Sequence, residues 1–290
     1  MTVLTETRKS YLSLSVEVPK SDTLLHYGFC AGSLFILLCT SGRSLFLILS
    51  AFLSMYSFMI LFIRLNLSVS TLGIQFGAKS LSAESIPRLS SESLYMSLLS
   101  FLSRLLVISF DRHHRPQYEL TDYILIIADL GSVVVVSALI YYQHKLCIDQ
   151  ETEWSEIWRM SIFSTFLLSL IFRAPITTVW TDTLWCFSAL LGPLSLLPQL
   201  VLWVSTKSEN DYPLSCSLAQ LTSAVSCLLY WIYLTESHKR LFHEMGPIVI
   251  FFQGVGCIGC ATLATLTLKN ELRSKKSRLL PLLVTTIKKM

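Results

Sequence analysis

The chain has 290 residues, of which 52% are hydrophobic and only 14% are charged, and its mean hydropathy is +0.58. Soluble domains usually carry about 25% charged residues, so this composition excludes an ordinary soluble domain. The net charge of +4 arises mostly from a basic cluster between Lys269 and Lys289, and it gives no reason to expect a nucleic-acid partner. The long apolar runs predict an all-α membrane protein.

Seven apolar segments are each long enough for a transmembrane helix, which needs about 17–25 residues. A shorter apolar run at 24–41 indicates an extra N-terminal helix or an uncleaved signal anchor, and a cleaved signal peptide is the alternative. We predict an N-terminal extension over 1–42, a seven-helix domain over 43–268 and a basic tail over 269–290. The seven segments are 44–65, 93–110, 121–142, 156–173, 182–204, 214–235 and 245–268.

The Lys and Arg residues of the loops indicate how these segments cross the membrane. If the tail is cytosolic, thirteen Lys and Arg residues lie on the cytosolic side and five on the lumenal side. This asymmetry predicts a multi-pass protein with a cytosolic C-terminus. The tail is expected to contact anionic membrane lipid, and recruitment of vesicle coat proteins is a second role that it could have. The Ser-rich stretch 66–92 is predicted to be a solvated linker.

Few polar side chains fall inside the predicted spans, and an ionisable group there costs roughly 2.5–3.5 kcal/mol on insertion scales, which makes it a candidate functional residue. Arg104 and Asp129 lie about 9 and 12 Å from the predicted lumenal end, at 1.5 Å per residue. Gln253 lies at a similar depth in the last span. Polar groups at one level on three helices predict a cavity open to the lumen. The alternative is an Arg104–Asp129 ion pair that only holds two helices together.

The fifth span contains residues that disturb a helix, namely Gly192, Pro193 and Pro198, followed directly by Gln199. A proline removes one backbone donor and clashes with the carbonyl a turn earlier. In a membrane such a break persists only where neighbours or a cavity satisfy the backbone groups that it frees. Gln199 can bond to a neighbouring backbone. The four residues predict a bent helix inside the bundle that acts as a hinge between two conformations.

The eight cysteines give no sign of a metal or redox site. Cys257 and Cys260 form a CxxC, but no second such pair and no pair of histidines accompanies them. We expect them to pack between helices together with the neighbouring glycines. No HExxH motif or Ser-His-Asp arrangement at one membrane depth occurs in the sequence. We therefore expect no catalytic residues, metal or cofactor, and a protein that is not an enzyme.

Three stretches of the chain carry a recognisable pattern: LWCFSALLGPLSLLPQL (184–200), ALIYYQHKLCIDQETEWSEIW (138–158) and SLYMSLLSFLSRLL (93–106). In that order they resemble the fifth helix, the end of the third helix and the second helix of the KDEL-receptor family, the ER lumen protein-retaining receptors. The third match places Arg104 on the family's arginine. Order and spacing agree over about 44–268. The resemblance implies a PQ-loop, SWEET-like bundle of seven helices, built from two triple-helix repeats and a linker helix.

The resemblance also implies a function. Receptors of this kind capture C-terminal Lys/His-Asp-Glu-Leu signals of lumenal proteins in the Golgi and return those proteins to the endoplasmic reticulum. Arginines suit such ligands because they form bidentate, charge-assisted hydrogen bonds with carboxylates. The alternative is a PQ-loop transporter of small molecules such as sugars or amino acids. The predicted ligand-binding residues are Arg104, Asp129, Trp185 and Gln253.

The chain departs from the family at most charged positions of the binding pocket. The family's pocket glutamate, first-helix histidine and last-helix aspartate align with Gly192, Ser54 and Gly259. The Tyr-Arg pair of the family's sixth helix falls near Ala224–Val225, whereas Arg104 is retained. A buried charge pair that is lost from a site costs about 2–5 kcal/mol, a factor of roughly 30 to several thousand in affinity. We therefore expect a receptor of altered or weakened signal preference.

Overall fold

The computed structural model describes residues 44–75, 89–111, 120–145, 155–206 and 212–287. Because α5 and α6 are the two parts of one bent span, the described helices form a bundle of seven, as predicted. The predicted helix at 24–41 and the N-terminal extension lie outside the described residues. In chain order the helices are α1 (Ser44–Gln75), α2 (Ser91–Asp111), α3 (Leu120–Lys145), α4 (Ser155–Ile171), α5 (Val179–Leu194), α6 (Leu197–Thr206), α7 (Leu214–Ser237) and α8 (Met245–Ile287).

Six of the seven predicted spans are confirmed by their length and apolar composition, and α4 is shorter. It has 17 residues, the lower limit for crossing a bilayer. Exposed apolar side chains recur along it at helical spacing, at Met160, Phe163, Leu167 and Ile171, so α4 has an apolar outer face. The six longer spans are Leu45–Asn66, Ser91–Phe110, Asp122–Lys145, Val179–Ser205, Leu214–Ser237 and Met245–Arg273.

The bundle consists of two triple-helix repeats with the same arrangement. In the first repeat α3 packs against both α1 and α2, and in the second repeat α8 packs against both α5 and α7. The third helix of each repeat therefore contacts the other two, as expected for parallel repeats. The repeats meet where α1 packs on α7 and where α2 packs on α5. Each of these contacts joins the first helix of one repeat to the second helix of the other. Helix α4 lies between the two repeats in the sequence and packs on α5.

Side chains are distributed as expected for a protein surrounded by lipid. Large apolar side chains point outward, among them Ile127, Val134, Phe251 and Ile258, each at least 60% exposed. Many small hydroxyl side chains are buried between the helices, beside a core of large apolar ones. In lipid no hydrophobic effect drives apolar side chains inward, so small and polar side chains can pack between the helices. The buried serines include Ser50, Ser57, Ser97, Ser100, Ser132, Ser169, Ser188 and Ser223.

Two helices continue beyond their predicted ends. Helix α1 reaches Gln75 and takes up the first part of the predicted linker 66–92, and α8 passes residue 268 and reaches Ile287. Hydropathy marks where a span leaves the bilayer, but a helix can continue into water. The stretch after residue 65 has no proline before Pro87, so no residue that reliably ends a helix stands there.

Candidate functional site

A cavity of about 110 Å³ lies between the two repeats. Helices α1 and α2 line it from the first repeat, and α5, α7 and α8 line it from the second. One buried water needs roughly 10–15 Å³ on this measure, so the cavity has room for the end of a small ligand. Its wall is rich in hydroxyl groups, with eight serines: Ser50, Ser54, Ser57, Ser97, Ser100, Ser188, Ser195 and Ser223.

Arg104 is the charged side chain of this wall, which is formed entirely by described residues. Its Nε donates to Oδ2 of Asp129 at 2.6 Å, and its Nη2 donates to Oδ1 of the same carboxylate. The guanidinium also lies 5.5 Å from the ring centre of Phe101, within range of a cation–π contact. Asp129 is fully buried, on α3, and holds the guanidinium from behind rather than lining the cavity.

The structure therefore contains both features that the sequence offered as alternatives. Arg104 forms the ion pair that joins α2 to α3, and it also lines the cavity. Trp185 and Gln253 line the same cavity. Three of the four predicted ligand-binding residues thus line one cavity. The fourth, Asp129, lies behind the cavity wall and pairs with Arg104.

The fifth span is interrupted by a turn at Ser195 and Leu196, which separates α5 from α6. Ser195 Oγ donates to the carbonyl of Gly192 at 2.7 Å, which stabilises the end of α5. Two prolines flank this turn. Pro193 lies in α5 and lines the cavity with Gly192, whereas Pro198 follows the turn in α6. The helix is thus interrupted where these residues predict a disturbance, although the N–H of Ser195 still donates to the carbonyl of Leu191 at 3.1 Å.

The break leaves a backbone carbonyl without its helical donor, and Gln253 provides a substitute. In an unbroken helix the N–H of residue 193 would bond to the carbonyl of Ala189, but Pro193 has no N–H. Gln253 Nε2, on α8, donates to that carbonyl at 2.9 Å. Gln253 is buried, with 4% of its surface exposed. Gln253, which the sequence indicated only as a polar group in a span, therefore supplies the hydrogen bond that Pro193 cannot make.

Replacing Gln253 with leucine is expected to lower the free energy of unfolding by about 1–3 kcal/mol, because the carbonyl of Ala189 loses its donor. In a Pro193→Ala background the same replacement should cost less, since the backbone N–H at position 193 is restored. A double-mutant cycle of unfolding free energies in detergent measures this coupling. An equal cost in both backgrounds would show that Gln253 does not compensate for the proline.

Helix α8 lies close to α5 at Gly256. A Cβ at this position would lie 2.6 Å from Cβ and 3.0 Å from Cα of Pro193, whereas a Cβ on Gly254 would meet nothing within 4 Å. Residue 256 must therefore be a glycine if the backbone of α8 is to pack directly against Pro193 of α5. The sequence predicts that the glycines and cysteines of 254–260 pack between helices. In the structure Gly256 makes the close contact with Pro193, and Gly254 does not.

Hydroxyl groups join the two repeats at the cavity wall. Ser223 on α7 lies 2.8 Å from Ser54 Oγ, and its own Oγ donates to the carbonyl of Ser50 at 2.8 Å, both on α1. At the equivalent contact, Ser100 on α2 donates to the carbonyl of Ser188 on α5 at 3.1 Å. Both contacts between the repeats thus carry a hydroxyl bridge.

Sequence reasoning missed these serines, although a signal exists. The serines at 50, 54 and 57 on α1 and those at 93, 97 and 100 on α2 have the same spacing of four and then three residues. Residues at this spacing lie on one face of a helix. A hydroxyl stripe within an apolar span indicates a face that does not meet lipid.

Gln199 bonds to a neighbouring backbone, as expected, and the structure identifies the partner. Its Oε1 accepts from the N–H of Ser90 at 2.8 Å, immediately before α2. Gln143, on α3, donates through Nε2 to the carbonyl of Leu89 at 2.8 Å. Two glutamines therefore hold the entry into α2 at the predicted cytosolic end of the bundle, and one of them links α6 to the first repeat.

Two tryptophans stand near the predicted lumenal end of the cavity. The ring centre of Trp185 on α5 lies 6.3 Å from that of Trp231 on α7, and both rings line the cavity. Leu47 on α1 belongs to the cluster against which Trp185 packs. Apolar surface therefore surrounds this part of the site, and the hydroxyl groups lie deeper.

The described cysteines are free thiols, and the buried ones, Cys186, Cys216 and Cys260, lie between helices. Cys260 and Cys227 face the cavity. Within the part of the chain that the structure describes, no three metal-binding side chains come together.

The family model for the ER lumen protein retaining receptor matches residues 85–234, just over half of the chain. The match begins before α2 and ends in α7, so it includes Arg104, Asp129 and the broken fifth span. No curated protein matches the chain significantly. The chain is a multi-pass membrane protein of seven helices, and it belongs to the ER lumen protein retaining receptor family.

Proposed function

We propose that this protein binds the C-terminal retention signals of lumenal proteins and returns those proteins from the Golgi to the endoplasmic reticulum. Beside family membership, one observation supports this proposal: the guanidinium of Arg104 stands in the wall of a cavity between two helix repeats. The protein then acts as a receptor without catalytic residues or cofactor. Its C-terminus is cytosolic, and its basic tail contacts membrane lipid and vesicle coat proteins.

Arg104 can bind the carboxylate at the end of a peptide. A guanidinium has five N–H donors, and Asp129 engages it through Nε and Nη2, so donors remain for a second carboxylate. Asp129 also offsets the cost of burying the guanidinium when no ligand is present. Trp185 and Gln253 are the proposed neighbouring contacts. In this arrangement Asp129 acts through Arg104 and positions it.

The same wall explains why the signal preference should differ from that of typical relatives. Ser54, Gly192 and Ala224 align with or near charged pocket residues of the family, and all three line the cavity. Ser54 and Ala224 thus provide no cation where the resemblance would predict a histidine and an arginine, and Gly192 provides no carboxylate where it would predict a glutamate. The cavity is therefore suited to a variant signal.

A double variant with Arg104→Met and Asp129→Leu should lose peptide binding while keeping its fold. Replacing both members of a buried ion pair by apolar residues is often neutral for stability, whereas loss of the guanidinium removes about 2–5 kcal/mol of binding, roughly 30- to several thousand-fold. Fluorescence anisotropy with the purified protein measures the affinity, and thermal unfolding serves as the control. Unchanged affinity in a folded double variant would exclude Arg104 from the site.

The cellular function can be tested by removing the protein. We expect a tagged copy to cycle between Golgi and endoplasmic reticulum, and a set of lumenal proteins to be secreted when the protein is absent. Proteomics of the medium should find that these proteins share a C-terminal sequence. Normal retention of lumenal proteins in the absence of the protein would contradict the proposal.

We also propose that the broken fifth span is a hinge, with Gly192, Pro193, Pro198 and Gln199 at its centre. Pro193 has no backbone N–H to donate beside the turn between α5 and α6, and Gln199 holds α6 to the start of α2. Movement of α6 relative to α5 would then change the cytosolic end of the bundle when a ligand enters the cavity.

A transporter of small polar molecules is the second candidate, and the serine-rich wall favours it. Eight hydroxyl groups and a single charged side chain suit an uncharged solute such as a sugar. A transporter must open its cavity to both sides of the membrane. Uptake of labelled sugars or amino acids into vesicles that contain the purified protein would support this candidate, and binding without uptake supports the receptor.

A further inference from the structure

Among the described residues, the charges at the cavity sum to zero. Arg104 is the charged side chain of its wall, and the fully buried carboxylate of Asp129 neutralises that charge through a two-point contact. A second carboxylate can share the guanidinium by approaching it from the cavity side. Further carboxylates would have to give up water without a cation in the described wall to replace it, which disfavours them.

The rest of the wall is suited to uncharged polar groups. A serine hydroxyl both donates and accepts, so it can exchange a serine partner for a hydroxyl or amide group of a ligand. Ser54, Ser100, Ser188 and Ser223 already form such exchangeable contacts across the two boundaries between the repeats. The site thus combines one place for a carboxylate with many places for neutral hydrogen-bonding groups.

We propose that the preferred ligand is a peptide end whose last residues carry uncharged polar side chains, such as Ser, Thr, Asn or Gln, and whose terminal carboxylate is its only anion. This inference rests on the proposed function and specifies its ligand. The neutral side chains bond to the serine wall, and the terminal carboxylate shares Arg104 with Asp129. Acidic side chains are disfavoured because Asp129 and the terminal carboxylate already share the guanidinium, and the described wall of the cavity offers no other cation.

The test compares two free-acid peptides on the purified full chain by fluorescence anisotropy, one ending in Ser-Gln-Asn-Leu and one ending in Lys-Asp-Glu-Leu. We expect the neutral peptide to bind at least about tenfold more tightly, which corresponds to about 1.4 kcal/mol. Tighter binding of the acidic peptide, or equal binding, overturns this inference and leaves the proposed receptor function intact. Failure of both peptides to bind contradicts the receptor function itself.

Two variants add a cation on two neighbouring helices of the cavity wall and show whether charge sets the preference. Ala224→Arg on α7 and Ser54→Lys on α1 each place a positive charge in the cavity lining. Each folded variant should shift the affinity ratio toward the acidic peptide by tenfold or more. An unchanged ratio in a folded variant overturns the inference, and having two positions keeps the test valid if one variant does not fold.

Discussion

Asp129→Asn is expected to lower the free energy of unfolding by about 3–5 kcal/mol, because it leaves the buried guanidinium of Arg104 without its counter-ion. Both oxygens of Asp129 accept from Arg104, and the carboxylate is fully buried. An asparagine of the same size keeps one acceptor but turns an amide donor toward the cation. Thermal or denaturant unfolding of the purified protein in detergent measures this effect.

The control is the double variant in which both members of the pair become apolar. Arg104→Met with Asp129→Leu should be much closer to wild type in stability than Asp129→Asn alone, since no unpaired charge stays buried. If the single variant is as stable as wild type, then water or another group reaches Arg104, and the neutral cavity proposed above does not exist.

Gly256→Ala is expected to destabilise the protein by about 1–3 kcal/mol, although alanine is the better helix former. The added methyl group would lie 2.6 Å from Cβ and 3.0 Å from Cα of Pro193. Neither atom belongs to a flexible side chain, so α8 must move away from α5. That movement would also pull Gln253 from the carbonyl of Ala189.

Gly254→Ala provides a matched control on the same helix, two residues away. A methyl group there meets nothing within 4 Å, so the change should be neutral or stabilise the helix by up to about 1 kcal/mol. Melting temperatures of the two variants and of wild type suffice for the comparison. Similar stabilities of the two alanine variants would contradict the close approach of α8 to Pro193.

The sequence was sufficient for the parts of the fold that depend on hydropathy and on strong helix breakers. Apolar length located the spans, and two prolines located the bend in the fifth one. Arg104 and Asp129 were identifiable because a charge within an apolar run is costly and therefore rare. Their pairing was one of two alternatives, and only the packing of α2 on α3 could decide it.

Features that depend on contacts between helices could not be predicted from hydropathy and helix breakers. Gly254 and Gly256 look alike in the sequence, and only the second lies against Pro193. The role of Gln253 depends on a carbonyl that is 64 positions away along the chain. Helices α1 and α8 extend past their predicted spans, because hydropathy reports the membrane boundary rather than the end of the helix.

The direct test of a carboxylate site at Arg104 compares free-acid peptides with the same peptides amidated at the C-terminus, on the purified wild-type protein. The amide keeps every side chain and removes only the charge that Arg104 is proposed to bind. We predict that the free acids bind and that the amides bind about 30-fold more weakly or worse, as expected for loss of a buried charge pair. Equal affinity of acid and amide, or no binding of either form, would contradict the proposed site and the receptor function built on it.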